Sequence, residues 1–476
     1  HYKNRKKGQP FFAVFNLAET HESGIFRAAE RNSEEFRVKA EDLSIPPYQL
    51  ATPETIKDWQ FFYERLELMD KHVGRILNEL ESLGEGEDTI ILYCSDHGGI
   101  TLRTKRYLHD TGTRIPLIAY FPKKWQHLAP ESPGSVSNRL VQFIDMPKTW
   151  LNLAGIQAAD SMTGRAFLGM EIDPEPETVF LFSGRFDETP DNSRGVTDGR
   201  WKYIRNFESD RKRFQMMNYP LRHDGQRSQA KAYAKGALNV YQSTHYIAQP
   251  PEELYDTRND PHEINNLVNE NPVMLEKMRL NLHEHMIYAH DLGFIPEPLK
   301  QRINRQGRQT IYEYGQSDAN YPIARVLELA TRVSDNEPEY LDTFIDALND
   351  ENPTIRYWGA VGIRILGEEA LSAKAEIHDA LTDPEFSVRI AAAIALGNMG
   401  DVSQASTKLF QELENATNDI EATWALDGFK LLDTPSVIEG LSEAQIKSLA
   451  RGKLSKSIIE MLRAGGSSVR MPSVKL

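Results

Sequence analysis

Residues 89–99 constrain the fold of this chain more than any other stretch. Thr89-Ile90-Ile91-Leu92-Tyr93 is a short apolar run rich in β-branched residues, bounded by the acidic turn 84–88 and by Gly98-Gly99. A continuous apolar run of that length predicts a strand buried on both faces of a parallel sheet. Asp96 and His97 stand at its carboxyl end, where open α/β sheets gather their ligands. A hard oxygen donor beside an imidazole, followed by two glycines, makes this the place to expect a metal. The plainer reading is a strand that ends in a polar turn. Cys94, the only cysteine, lies in the run and is expected to be a small core residue rather than a nucleophile; alone, it forms no intrachain disulfide.

A second run, Pro10–Leu17, predicts another buried strand, and it too ends in a polar cluster, Glu19-Thr20-His21-Glu22-Ser23. Between the runs, Phe62, Leu66, Met69, Val73, Ile76, Leu77 and Leu80 recur at helical spacing over 55–83. Strand, helix and strand in that order predict a βαβ unit, hence a parallel sheet. Residues 114–122 predict a third strand, 138–154 a helix on the sheet, 179–182 a short strand, and 194–205 a hairpin turning at Asp198-Gly199. A helix is expected over 273–290.

From residue 321 the texture becomes helical. Arg356 and Arg389 are 33 positions apart, as are Gly367 and Gly400, and a weaker third copy includes Trp424. A period of this size predicts stacked helix pairs. The expected domains are 1–205, 206–318 and 319–476, the last offering a docking or oligomerisation surface for a protein partner. With 476 residues the chain has room for these, and a net charge of −14 argues against nucleic acid as a general partner. It has no apolar run of membrane-spanning length. It opens on His1-Tyr2-Lys3, without an initiator Met or signal-peptide pattern, and so reads as the interior of a longer gene product.

Beyond the glycines, Arg103, Lys105 and Arg106 put three cations within four positions, a grouping suited to a tetrahedral anion. Here the residues resemble the type I sulfatases of the alkaline phosphatase superfamily, most closely a bacterial branch similar to heparan N-sulfatase. The likeness lies in four segments between residues 9 and 270. They are Phe11–Ser23; Ser95-Asp96-His97-Gly98-Gly99 with Lys105-Arg106-Tyr107 and Gly112–Ile118; Asn138–Ile156; and Glu253-Leu254-Tyr255-Asp256 with Asn259–Leu267.

The resemblance implies an α/β fold, a mixed or parallel sheet sandwiched by helices, with a small C-terminal subdomain and the appended HEAT-like helical repeat. It implies a hydrolase acting on sulfate esters or N-sulfate of a sulfated carbohydrate, in the periplasm or outside the cell. Asp96 would ligate Ca²⁺, with His97 on the metal or the sulfate. Lys105 would contact a sulfate oxygen and neutralise the ester oxygen, and His21 would bind sulfate or protonate the leaving oxygen. Arg185, Asp187 and Glu188, with Arg103, would border the substrate. The family's Cys- or Ser-x-Pro-x-Arg segment, whose first residue becomes the formylglycine nucleophile, is absent, as is its Asp-Asp metal pair. Family order puts both ahead of Phe11, so the chain reads as the C-terminal part of such a protein and is not expected to turn over sulfate esters by itself. The competing readings are a two-metal phosphodiesterase or phosphatase of the same superfamily, and a sulfatase-like binding protein that has lost catalysis.

Overall fold

The computed structural model describes residues 2–465 apart from 7, 27, 29–31, 216 and 435. The end of the expected third domain, 466–476, lies outside the described residues. The α/β class holds, with two small sheets and many helices.

The predicted helix runs over Pro53–Ser82, with Thr52 as its N-cap and Pro53 in its first turn, where a missing N–H costs nothing. It packs on the helix Asp224–Ala234. At that contact the buried Asp58 carboxylate accepts from Gly225 N at 2.9 Å. Burial, against the charge of His223 and this hydrogen bond, pushes the Asp58 carboxyl up to about 6 from 3.8. An acid raised on folding costs nothing below its unfolded value, costs more as pH climbs toward its folded value, and a constant amount above it. The cost is about 3 kcal/mol near neutrality. Asp58→Asn keeps an acceptor for Gly225, so its melting temperature should exceed the parent's at pH 7–8, the gap closing toward pH 4. A gap independent of pH would sink this assignment.

Strands β1 (Ile91–Cys94) and β2 (Leu117–Tyr120) form the first sheet, in register from Ile91 opposite Tyr120 to Cys94 opposite Leu117. They are antiparallel, which corrects the parallel pairing expected from strand–helix–strand order. Gly98 and Gly99 donate to the carbonyls of Gly112 and Thr111, both at 2.9 Å. The chain therefore folds back within the intervening loop and returns alongside β1 instead of crossing over. Cys94 is exposed, not in the core.

Residues 10–17 are not a strand: they pair with none of the described residues and run irregularly, with Phe12 68% exposed. A strand needs a partner, and here the aromatic rings find other ones: Phe11 stacks on Tyr2 at 5.1 Å, and Phe12 meets Trp150 at a tilt, with 5.3 Å between ring centres. The helix expected over 138–154 is confined to Asp145–Leu153. The Asp145 carboxylate takes the N–H groups of Gln142 and Arg165, each at 2.8 Å, and pins the preceding residues in a turn.

The second sheet is an antiparallel meander of β3 (Val179–Phe186), β4 (Thr189–Thr197), β5 (Trp201–Asn206) and β6 (Glu252–Asp256). The β4–β5 turn is the predicted Asp198-Gly199, with Gly199 at φ +86°. Since β6 pairs with β5, the division expected at residue 205 runs through this sheet. The helix Pro272–Tyr288 packs on the sheet.

The helical repeat follows, and one continuous core joins it to the sheet. Val196, Tyr203 and Leu254 belong to the same apolar cluster as Met278, Val326, Trp358, Val388, Leu426 and Ile459. The 33-residue period has a visible cause. In Pro353–Leu366, Arg356 Nη1 donates to Asp350 O at 2.9 Å while its guanidinium pairs with Asp383. One repeat on, in Phe386–Asn398, Arg389 Nη1 donates to Asp383 O at 2.8 Å and pairs with Glu412. Each arginine ties its own helix to the preceding turn and to the next unit.

Candidate anion site

The loop between Gly98 and Gly112 carries Lys105, and its closure depends on glycine. A Cβ on Gly98 would lie 2.1 Å from Thr111 O, and one on Gly112 2.2 Å from Thr104 O and 2.5 Å from Tyr107 O. Thr111 Oγ1 closes the loop further by donating to Arg103 O at 2.6 Å. Gly112→Ala should therefore cost about 1–3 kcal/mol and raise hydrogen exchange across 100–110. Unchanged exchange would contradict a clasp held by close backbone approach.

Buried ion pairs fix this loop to β5 and β6. Lys202, fully buried on β5, pairs with Asp110 and lies 3.0 Å from Glu263 Oε1. Glu263 Oε2 accepts from Asp110 N at 2.7 Å. His109 stands between Arg213, at 3.2 Å, and Glu253, at 3.7 Å. Burial first, then the charges of Arg103 and Arg213, hold its ring well below the ordinary histidine value, so it stays neutral. The expected C-terminal signature, 253–267, thus acts as the seat of the loop.

Arg103, expected at the substrate, belongs to that seat. It is 3% exposed, donates to the carbonyls of Glu263, at 3.0 Å, and His262, and lays its guanidinium over the Tyr48 ring at 3.9 Å. Its φ of +58° turns the side chain inward from the loop.

Lys105 and Arg106 converge on Glu22, the residue after His21. Lys105 Nζ lies 3.0 Å from Glu22 Oε2, and Arg106 donates to both Glu22 oxygens at 2.9 Å. His223 Nε2 approaches Glu22 Oε1 at 3.2 Å. Burial alone would raise the Glu22 carboxyl. Hydrogen bonds from His223 and Arg106, with the charges of Arg106 and Lys105, override it and hold the group far below the ordinary carboxylate range.

Next to this knot, His21 is exposed and caps the turn Glu22–Ile25. Its Nδ1 accepts from Ser23 N at 3.3 Å and lies 2.8 Å from Ser23 Oγ. With Nδ1 as acceptor, the proton of the neutral ring sits on Nε2. The structure therefore links Lys105, through Glu22 and Arg106, to the hairpin residue Asp187, whose Oδ2 takes Arg106 at 2.9 Å, while His21 adjoins this group only as the residue before Glu22. Arg185 and Glu188 point away, to Glu297 and Ser457.

Asp96 and His97 stand apart at the end of β1. The Asp96 side chain is 87% exposed, and His97 Nε2 lies 3.7 Å from its Oδ2. His97 donates from Nδ1 to Gly98 O at 2.8 Å, so Nε2 of the neutral ring carries the lone pair a metal would take. Calcium takes about six to eight oxygens. Among the described residues no three His, Cys, Asp or Glu side chains gather to hold an ion. The pair fits one corner of such a site and not the whole. Partial desolvation by its neighbours, and next the Asp96 carboxylate, push the Cys94 thiol up, which disfavours the reactive thiolate.

Sequence reasoning named Arg106 as one of three cations for an anion and Glu22 within a polar cluster, but it missed that the two pair, and it missed His223 altogether. Glu22 adjoins His21, which was singled out, and that adjacency was the available signal. His223 is 201 positions from Glu22 and carries none.

Residues 1–156 match the sulfatase family, 98–232 the C-terminal region of N-sulphoglucosamine sulphohydrolase, and 341–430 HEAT repeats. An ulvan-active sulfatase of Formosa agariphila is 32% identical, over 58% of this chain and 51% of its own length. Human N-sulphoglucosamine sulphohydrolase is 26% identical, over 52% of each chain. An N-acetylglucosamine-6-O-sulfatase of Bacteroides thetaiotaomicron is 27% identical, over 42% of this chain and 30% of its own. The chain spans about half the length of the first and second of these relatives.

Proposed function

We propose, from the premise that this chain belongs to the sulfatase family, that it forms the anion-holding part of a hydrolase of sulfated polysaccharides or oligosaccharides. The observation that carries the reading is the convergence of Lys105 and Arg106 on Glu22, beside a histidine whose Nε2 bears the proton. Sulfate ester cleavage needs positive charge on the non-bridging oxygens and a proton for the departing oxygen or nitrogen. Lys105 supplies the first and His21 Nε2 the second. Glu22, fixed as a carboxylate, holds both cations in place until sulfate arrives. Asp187 holds Arg106 at the edge of the same site.

Asp96, with His97 beside it, would hold a calcium ion together with ligands from outside the described residues. When bound, the ion supplies positive charge to the sulfate oxygens. The nucleophile, a formylglycine hydrate, is assigned to sequence outside these 476 residues. The relatives' named substrates suggest ulvan, 6-O-sulfated N-acetylglucosamine and N-sulfated glucosamine as candidates. Polymeric substrates of this kind favour the periplasm or the cell exterior as the place of action. Among the described residues no helix is long and apolar enough to cross a membrane.

The test is sulfate release from those sugars by the full-length gene product, expected to fall with chelation and return with calcium. Two zinc ions per chain would turn the reading to a two-metal phosphoesterase. Sugar binding without sulfate release would turn it to a binding protein.

A further inference from the structure

The tip of the β3–β4 hairpin, Asp187-Glu188, is held from two sides. On one side is Arg106, which donates to Asp187 Oδ2 from Nε at 3.2 Å and from Nη2 at 2.9 Å. On the other are three helices of the C-terminal half. Glu297, first residue of the helix Glu297–Gln306, takes Arg185 Nε at 2.8 and 3.0 Å and Trp424 Nε1 at 3.3 Å. Arg185 in turn donates from Nη1 to Asp187 O at 2.8 Å. Ser457, on the helix Lys453–Gly465, donates from Oγ to Glu188 Oε1 at 2.5 Å.

The tip would not keep this shape unaided. Asp187 sits at φ +47°, in the left-handed region a non-glycine residue avoids. The Glu188 side chain is buried, and its Oε2 has no hydrogen-bond partner among the described residues. Arg106 is shared between two carboxylates, Asp187 and Glu22, and Lys105 competes for the second. If Asp187 let go, Arg106, which holds both Glu22 oxygens through Nη1 and Nη2, would lose its anchor on the Nε side, and Glu22 with the Lys105 ammonium would be free to shift with it.

We propose that the C-terminal helices position the anion site: Glu297 and Ser457 fix the hairpin tip, Asp187 anchors the Nε side of Arg106 while its Nη groups hold Glu22, and Lys105 is placed as a result. Glu297 and Ser457 are positioning residues, acting through Arg185, Asp187 and Arg106. The proposal rests on Lys105 as the sulfate ligand only for its consequence in turnover; the placement itself is tested without substrate.

The experiment uses the full-length protein with Ser457→Ala, Glu297→Ala and, as the conservative control, Ser457→Thr. Hydrogen exchange is followed at 185–190 and at 103–108, together with kcat and KM for release of sulfate from 6-O-sulfated N-acetylglucosamine. Both alanine variants should exchange faster in both segments and lose about tenfold in kcat/KM, and Ser457→Thr should restore both properties. Faster exchange at 185–190 with 103–108 unchanged would overturn the proposal, as would failure of Ser457→Thr to restore what Ser457→Ala loses. If the parent releases no sulfate, the functional reading fails, and exchange at 103–108 still decides this one.

Discussion

Replacing Lys105 by alanine in the full-length protein is expected to lower sulfate release about 10²- to 10³-fold, the usual cost of deleting one charge aimed at a developing anion. The fold should survive. Glu22 keeps Arg106 on both oxygens at 2.9 Å and His223 at 3.2 Å, so no buried carboxylate is left without a partner. Lys105 is also held less deeply than its neighbours, with its side chain 10% exposed where Glu22 is fully buried. The comparison to make is turnover against far-ultraviolet circular dichroism and melting temperature. Undiminished turnover in the variant would remove Lys105 from the site, and a collapsed melting temperature would make it a structural residue.

Glu22→Ala should do the reverse, damaging the fold before the chemistry. The carboxylate is the common partner of Lys105, Arg106 and His223, and removing it leaves Lys105 without its counter-ion beside an Arg106 that keeps only Asp187 as an ion partner among the described residues. Breaking a buried pair in this way costs about 3–5 kcal/mol. The pH dependence identifies the cause. Glu22 is held below its ordinary 4.5 in the folded state, so its stabilisation is complete above that value and is lost as pH falls toward the lower folded one. The stability gap between parent and variant should be full at pH 6–8 and begin to close below about pH 4.5. A gap equally wide at pH 3 would mean that the loss comes from packing and not from charge.

These two residues mark what a sequence can and cannot disclose here. Lys105 was legible because a cluster of cations is a local pattern. Its partner was not, since the meeting with Glu22 is made by tertiary folding across more than 80 positions. The repeat was legible for a similar reason: Arg356 and Arg389 perform the same local task one unit apart. The strand at Thr89–Tyr93 was found, but its pairing direction is set by Gly98 and Gly112, whose close approach an apolar pattern does not encode. Pro10–Leu17 has the composition of a buried strand, yet composition supplies no partner, and the run lies largely exposed. Arg103 shows the opposite error. It reads as one more cation beside Lys105, and only its left-handed backbone sends it into the seat formed by Tyr48, His262 and Glu263.

The seat of the 98–112 loop also sets a timetable for synthesis. Asp110 N is held by a carboxylate 153 residues further on, and Arg103 by a carbonyl 160 residues further on. On the ribosome the loop must therefore stay unfinished until β6 and Glu263 have emerged. The hairpin tip waits longer still, for Glu297 and then for Ser457, 269 residues past Glu188. A nascent chain that stalls or is cut before those helices appear would carry Lys105 on an unfastened loop. The hairpin tip thus takes its final shape only when the helix Lys453–Gly465 docks.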